Sequence, residues 1–188
     1  MIWLGDVARG RDNNFNLIRF VAATAVLVSH AWPIALGDGV AEPLHASTGH
    51  SLGGLAVFVF FAVSGFFITA SFARTNSARV FVKARVLRLV PCLAVSLLLV
   101  ALVMGPLVTT LQMAEYLSHS ETAKFLFRNI TLISPKYTLP GVFETNPYPT
   151  VEGSIWTLIH EVLCYGLVFL AGITGVLGRS RLMLVAML

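Results

Sequence analysis

Apolar residues run along this chain in blocks too long for the core of an ordinary soluble domain. The stretch NLIRFVAATAVLVSHAWPIAL occupies residues 16–36, and positions 20–37 hold no Asp, Glu, Lys or Arg. A membrane helix needs about 20 mostly apolar residues, which this stretch supplies. A second block, 51–73, carries no charge at all and is crowded with Gly and Phe. A third covers about 89–109 and a fourth about 154–177, and a further apolar run opens near residue 182 and continues to the last residue. The expected fold class is therefore all-α, a polytopic transmembrane helix bundle. It reads as one membrane domain over 1–188, truncated to its N-terminal part, with four complete spans and the start of a fifth.

The segments between the blocks are unequal. Residues 1–14 form a short polar tail with Arg9 and Arg11. The loop 38–50 holds two acids and two histidines but no Lys or Arg, whereas 74–88 carries Arg74, Arg79, Lys83, Arg85 and Arg88 with no acid. Within 112–153, the stretch 122–134 places Leu126, Ile130 and Ile133 among polar residues. It is too short to span, so it is expected as an interfacial or re-entrant helix. Pro135, Pro140, Pro147 and Pro149 then mark a loop.

Composition agrees with the blocks. Charged residues make up only 12% of the 188, about half the share of a typical soluble domain, and 56% are hydrophobic. The net charge of +4 does not point to nucleic acid, because the basic residues gather at span ends and not on a soluble face. Basic residues favour the cytoplasmic side of a membrane. A cytoplasmic N-terminus puts ten of the thirteen Lys and Arg inside, leaving Lys124, Arg128 and Lys136 outside beside Glu115, Glu121, Glu144 and Glu152. The first block is too long for a signal-peptide core and is entered by Arg19, so it reads as a retained span. Cys92 and Cys164 have no metal-like spacing and fall towards opposite membrane faces, which disfavours a disulfide.

Polar residues inside the spans are the candidate chemistry. Arg19 and His30 are eleven residues apart, which is three turns plus about 20°, so they share a face about 16 Å apart along the axis. His30 is expected about 21 Å into a ~30 Å core, and Glu161 about 10 Å below the outer end of the fourth span. Intramembrane ionisable groups face a cavity or one another. Either His30 and Glu161 pair, or each only hydrogen-bonds across helices. His160 points about 100° away from Glu161 and reads as a packing residue. Arg85 and Arg88 are neighbours on one helical surface and, with Arg19, lie at the cytoplasmic side. Guanidinium groups suit phosphate, although the positive-inside preference alone also explains a basic loop. Ser64 is either a cavity-lining group or a small residue at a helix crossing. No GxSxG, HExxH or Walker-type sequence occurs, and no metal site is expected.

Four stretches together resemble the acyltransferase 3 family of membrane O-acyltransferases. They are Arg19 and His30 within NLIRFVAATAVLVSH, FFAVSGFFI at 60–68, RVLRLVP at 85–91, and SIWTLIHEVLCYG at 154–166. The last carries Trp156, Thr157, Leu158, Glu161 and Tyr165 in the family's order. Ala56 and Cys164 depart from residues common there, and family members carry considerably more spans than this sequence supplies. The resemblance implies an enzyme of the inner membrane. It would move an acyl group, most often acetyl from acetyl-CoA, to a hydroxyl of an exported or cell-surface glycan, with no bound cofactor. His30 would act as base or transient acyl carrier, oriented by Glu161. Arg19, Arg85 and Arg88 would hold the donor, and Trp156, Ser64 and Tyr165 would line the acceptor side. The rival readings are a transporter or flippase component using Arg, His and Glu as a relay, or a truncated inactive fragment.

Overall fold

A computed structural model describes residues 14–37, 39–75 and 77–179. The tail carrying Arg9 and Arg11 and the apolar run from 182 lie outside the described residues, which contain helices and loops but no strand. Four helices are long and apolar enough to cross a membrane: α1 (Phe15–Leu36), α3 (Leu52–Thr75), α4 (Ala78–Val108) and α7 (Ile155–Ile173). Between and after them lie α2 (Pro43–Thr48), α5 (Met113–Ser118), α6 (Ser120–Thr131) and α8 (Val176–Arg179). The large apolar side chains left exposed on the long helices, such as Phe20, Leu27, Phe58, Leu107 and Leu167, suit contact with lipid. The protein is a multi-pass membrane protein.

The chain divides into two compact units, Met1–Gly65 and Phe66–Leu188, with the boundary inside α3. In the first unit α1 is closed by Gly37, whose N–H bonds the Pro33 carbonyl at 2.9 Å. Pro43 opens α2, where its missing N–H costs nothing.

The second unit is built on α4, whose 31 residues make a helix about 46 Å long. It begins eleven residues before the apolar block at 89, because the basic stretch ahead of that block contains no helix breaker and continues the helix. One π-helical turn, Val100–Met104, interrupts it before Gly105–Val108 resumes the α-helix. Alongside α4, α7 runs antiparallel. Ile155 at its start shares a buried cluster with Leu93, Leu97 and Ala101, and Tyr165 reaches Arg85. Helix α7 therefore starts about 16 Å short of the end of α4.

Helix α6 fills the remaining flank. Tyr116, just ahead of it, bonds the Ala101 carbonyl, while Ile130 and Leu132 at its far end line a cavity together with Val86, Leu89 and Val90. It thus runs along α4 for about 16 Å. The buried face is not made of the apolar Leu126, Ile130 and Ile133. Thr122, Phe125 and Asn129 are buried, Leu126 and Ile130 pack at the edge, and Ile133 is exposed beyond the helix end. The two polar members are satisfied locally. Thr122 Oγ1 donates to the Tyr116 carbonyl at 2.8 Å, and Asn129 exchanges two 2.8 Å bonds with the Lys136 backbone. Leu132, in the left-handed conformation at φ 55°, ends the helix. The loop then climbs to Pro140 and Gly141, which Thr109 and Thr110 bind at 3.0 and 2.9 Å, before turning down into α7.

Candidate active site

In the first unit, α1 carries Arg19 in its second turn and His30 as its sixteenth residue, both half-buried. The His30 Nδ1 lies 2.9 Å from the Val26 carbonyl oxygen. A carbonyl only accepts, so Nδ1 carries the hydrogen and Nε2 is the nitrogen with a free lone pair. Pro33 stands four residues beyond Ser29 and lacks the N–H that would close on the Ser29 carbonyl. The helix is therefore loosened next to His30.

A side-chain clamp compensates. Glu42, buried at the N-cap of α2, takes a hydrogen bond from Ser29 Oγ on one carboxylate oxygen and from the Leu52 N–H of α3 on the other. The Ser29 bond holds the Glu42 carboxyl below its usual range, and the Leu52 N–H adds to that. Burial opposes them, and the charges of His45 and then His30 reinforce them. Close approach of α3 to α1 depends on Gly53, where an added Cβ would lie 2.8 Å from Ser29 Oγ and 2.9 Å from its Cβ. Sequence reasoning passed over Glu42, which looked like one acid in a polar loop. The Glu-Pro pair at a helix start was the available signal. Ser64 is half-buried on α3 at the end of this unit.

In the second unit a cavity of about 300 Å³ opens between α4 and α7. Its α4 wall carries Arg88, Cys92 and Ser96, and its opposite wall carries Glu152, Ser154, Glu161 and Tyr165. Arg88 lies towards the same end as the Glu161–Tyr165 pair, and Glu152 lies towards the other. Tyr165 donates its hydroxyl hydrogen to Glu161 Oε1, a bond their four-residue spacing on α7 allows. Arg85 and Arg88 are not at the edge of the helix. Arg88 is the eleventh residue of α4, about 15 Å from its start, and faces the cavity that Tyr165, midway along α7, also lines.

Arg85 is held among apolar neighbours by its shape. The guanidinium lies 5.5 Å from the Phe81 ring centre and 5.6 Å from that of Tyr165, and Nη2 donates to Ser71 Oγ at 3.3 Å. Its Nε is buried without a hydrogen-bond partner. Aromatic faces suit a weakly hydrated planar cation, so this charge can sit beside an apolar helix. A second, mostly apolar cavity of about 380 Å³ adjoins it, lined by α4, α7 and the end of α6.

Of the residues singled out in the sequence, the structure brings together Arg85, Arg88, Glu161 and Tyr165 in the second unit. Trp156 stands outside both cavity walls, its ring edge-on to His160 at 5.5 Å, and His160 Nδ1 donates to the Trp156 carbonyl at 2.9 Å. His30 and Arg19 belong to the first unit.

Comparison with known proteins narrows the chemistry. The profile of a family described as an acyltransferase domain matches residues 12–188. An O-acetyl transferase of Shigella phage Sf6 is 32% identical over 155 residues, covering 82% of this chain and 44% of that protein. Nodulation protein 10 of Rhizobium leguminosarum bv. viciae is 35% identical over 165 residues, covering 83% of this chain and 43% of that protein. The chain thus spans less than half the length of these curated relatives. No solved structure matches it. The profile covers all of the described residues, and Arg88, Glu161 and Tyr165 of two characteristic stretches line one cavity; the chain belongs to this family of acyltransferase domains.

Proposed function

We propose that this chain is part of an integral membrane O-acyltransferase. It moves an acyl group, with acetyl from acetyl-CoA as the favoured donor, to a hydroxyl of an exported or cell-surface glycan, in the inner membrane with the N-terminus cytoplasmic. The observation that carries the reading is the α4–α7 cavity, with Arg88 at one end and the Glu161–Tyr165 pair on its wall. At about 300 Å³ it has the volume of a small-molecule site, enough for the reactive end of the donor or a sugar ring but not for both whole substrates. Arg88 lies towards the start of α4, the side assigned to the cytoplasm, where the donor's phosphates arrive. Glu152 lies towards the outer loop, where a glycan arrives.

His30 serves as general base through Nε2. It takes the proton of the sugar hydroxyl as that oxygen attacks the thioester carbonyl carbon, the carbon–sulfur bond breaks, and the imidazolium returns the proton to the departing thiolate. Arg85 and Arg88 engage donor phosphate by charge-assisted hydrogen bonds, and Arg19 is a further candidate for binding the donor. Glu161, fixed by Tyr165, is assigned the role of favouring the charged form of the imidazole. The test is transfer of labelled acetyl from acetyl-CoA to glycan in membranes carrying full-length protein with His30→Ala. Loss of transfer is expected. Undiminished transfer would remove His30 from the chemistry, and proton-coupled uptake without acyl transfer would replace the enzyme with a transporter.

A further inference from the structure

The clamp in the first unit has a geometry that capping alone does not require. A helix start needs an acceptor for its N–H groups, and Glu42 supplies one to Leu52. The same carboxylate also reaches back to Ser29, the residue immediately before His30, and is nearly excluded from solvent there. Both of its oxygens already accept hydrogen bonds, so Glu42 holds and does not itself exchange protons with a substrate.

We propose that Glu42 is the positioning residue of His30, tying the loosened segment of α1 to the first turn of α3 and supplying negative charge beside the imidazole. This rests on the reading of His30 as the base. Three observations converge on it. Pro33 leaves the Ser29 carbonyl without its helical partner, so the backbone beside His30 needs an external tether. The Ser29–Glu42 bond provides one, and Gly53 keeps the contact open by offering no Cβ at a point 2.8 Å from Ser29 Oγ. The His30 ring is committed through Nδ1 to Val26, so its free nitrogen is aimed by the rotation of this one helical turn. A wrong aim by about 1 Å is enough to cost a large part of a proton-transfer rate. The carboxylate also favours the positive charge that develops on the imidazole as the proton moves.

Glu42→Gln keeps the shape and an acceptor oxygen while removing the charge. In membranes carrying the full-length protein, kcat for acetyl transfer is expected to fall about tenfold, with KM for acetyl-CoA within about twofold. A purely structural cap would instead lower protein amount and thermal stability while leaving kcat of the folded fraction intact, and that result would overturn the proposal. Ser29→Ala provides an independent arm, because it cuts the tether to α1 and leaves the Leu52 cap in place. An unchanged kcat in Ser29→Ala would also overturn it. His30→Ala separates the two readings. If His30→Ala retains activity, the base assignment fails whatever Glu42 does. If His30→Ala is inactive while Glu42→Gln keeps full kcat, only the positioning role fails.

Discussion

The hydroxyl of Tyr116 donates a 2.8 Å hydrogen bond to the carbonyl of Ala101, and both residues are completely buried. The bond repairs a defect that α4 creates for itself. In its π-helical turn the Gly105 N–H bonds Val100 and not Ala101. The next N–H in that register would belong to residue 106, which is proline. Ala101 is left with an orphan carbonyl, and Tyr116 fills it. Burial also raises the Tyr116 pKa, which keeps the hydroxyl a donor.

Tyr116→Phe should therefore destabilise the protein by about 1–3 kcal/mol, the cost of an unsatisfied buried carbonyl. Thermal melting in detergent measures it, and an unchanged melting temperature would show that the carbonyl finds another donor. Gly105→Ala should be worse, because its Cβ would lie 2.0 Å from the Tyr116 oxygen.

Glu42 gives the first unit a pH signature. Its carboxyl is held below the ordinary range by Ser29 and Leu52, so the folded state binds its proton less readily than the unfolded chain. The clamp's stabilisation is fully present above the usual carboxylate pKa, near 4.5, and is lost as pH falls through the lower folded value. Melting temperature should fall with acidification over that window, and Glu42→Gln should flatten this part of the profile. An identical slope in the variant would rule the clamp out as its source.

Arg88 and Arg85 should differ in what they lose. Arg88→Ala removes a charge facing the cavity and is expected to raise KM for acetyl-CoA about tenfold with a smaller change in kcat. Arg85→Lys keeps a charge but not a plane that can lie between Phe81 and Tyr165, so it should lower protein amount as well as activity. Quantifying both variants by immunoblot alongside initial rates separates the two effects. Equal behaviour would mean that the aromatic seat does not matter.

Tyr165→Phe keeps the ring beside Arg85 and deletes only the hydroxyl on Glu161. Its loss of rate should be smaller than that of Glu161→Gln. A double-mutant cycle of Glu161→Gln with His30→Ala examines whether Glu161 acts through the imidazole, which requires that the two losses not add. Additive losses would assign Glu161 a task independent of His30.

The long apolar blocks were legible because a membrane span announces itself by length and by the absence of charge. The i,i+4 relation of Glu161 and Tyr165 was equally visible, since both belong to one recognisable stretch. Other features were hidden for specific reasons. The basic residues before position 89 looked like a loop, whereas they continue α4, and Arg85 is accommodated by two rings that are remote in sequence or a full turn away. The burial of Thr122 and Asn129 was not legible, because a polar side chain reveals its burial only through partners, here Tyr116 and Lys136. Glu42 was obscured in the same way, its partners being thirteen and ten residues distant.

The unequal reach of α4 and α7 bears on the surrounding lipid. Helix α7, about 28 Å long, matches an ordinary hydrocarbon core, while α4 rises well past its upper end with Leu102, Val103 and Leu107 still exposed. One flat leaflet cannot satisfy both. Acyl chains must stretch or tilt beside the taller helix and draw in beside the shorter one, at fractions of a kcal/mol per Å. Beside these two helices the water boundary would slope, lowest where Glu152 and Ser154 open the cavity. A polar acceptor could follow that dimple inwards without leaving solvent.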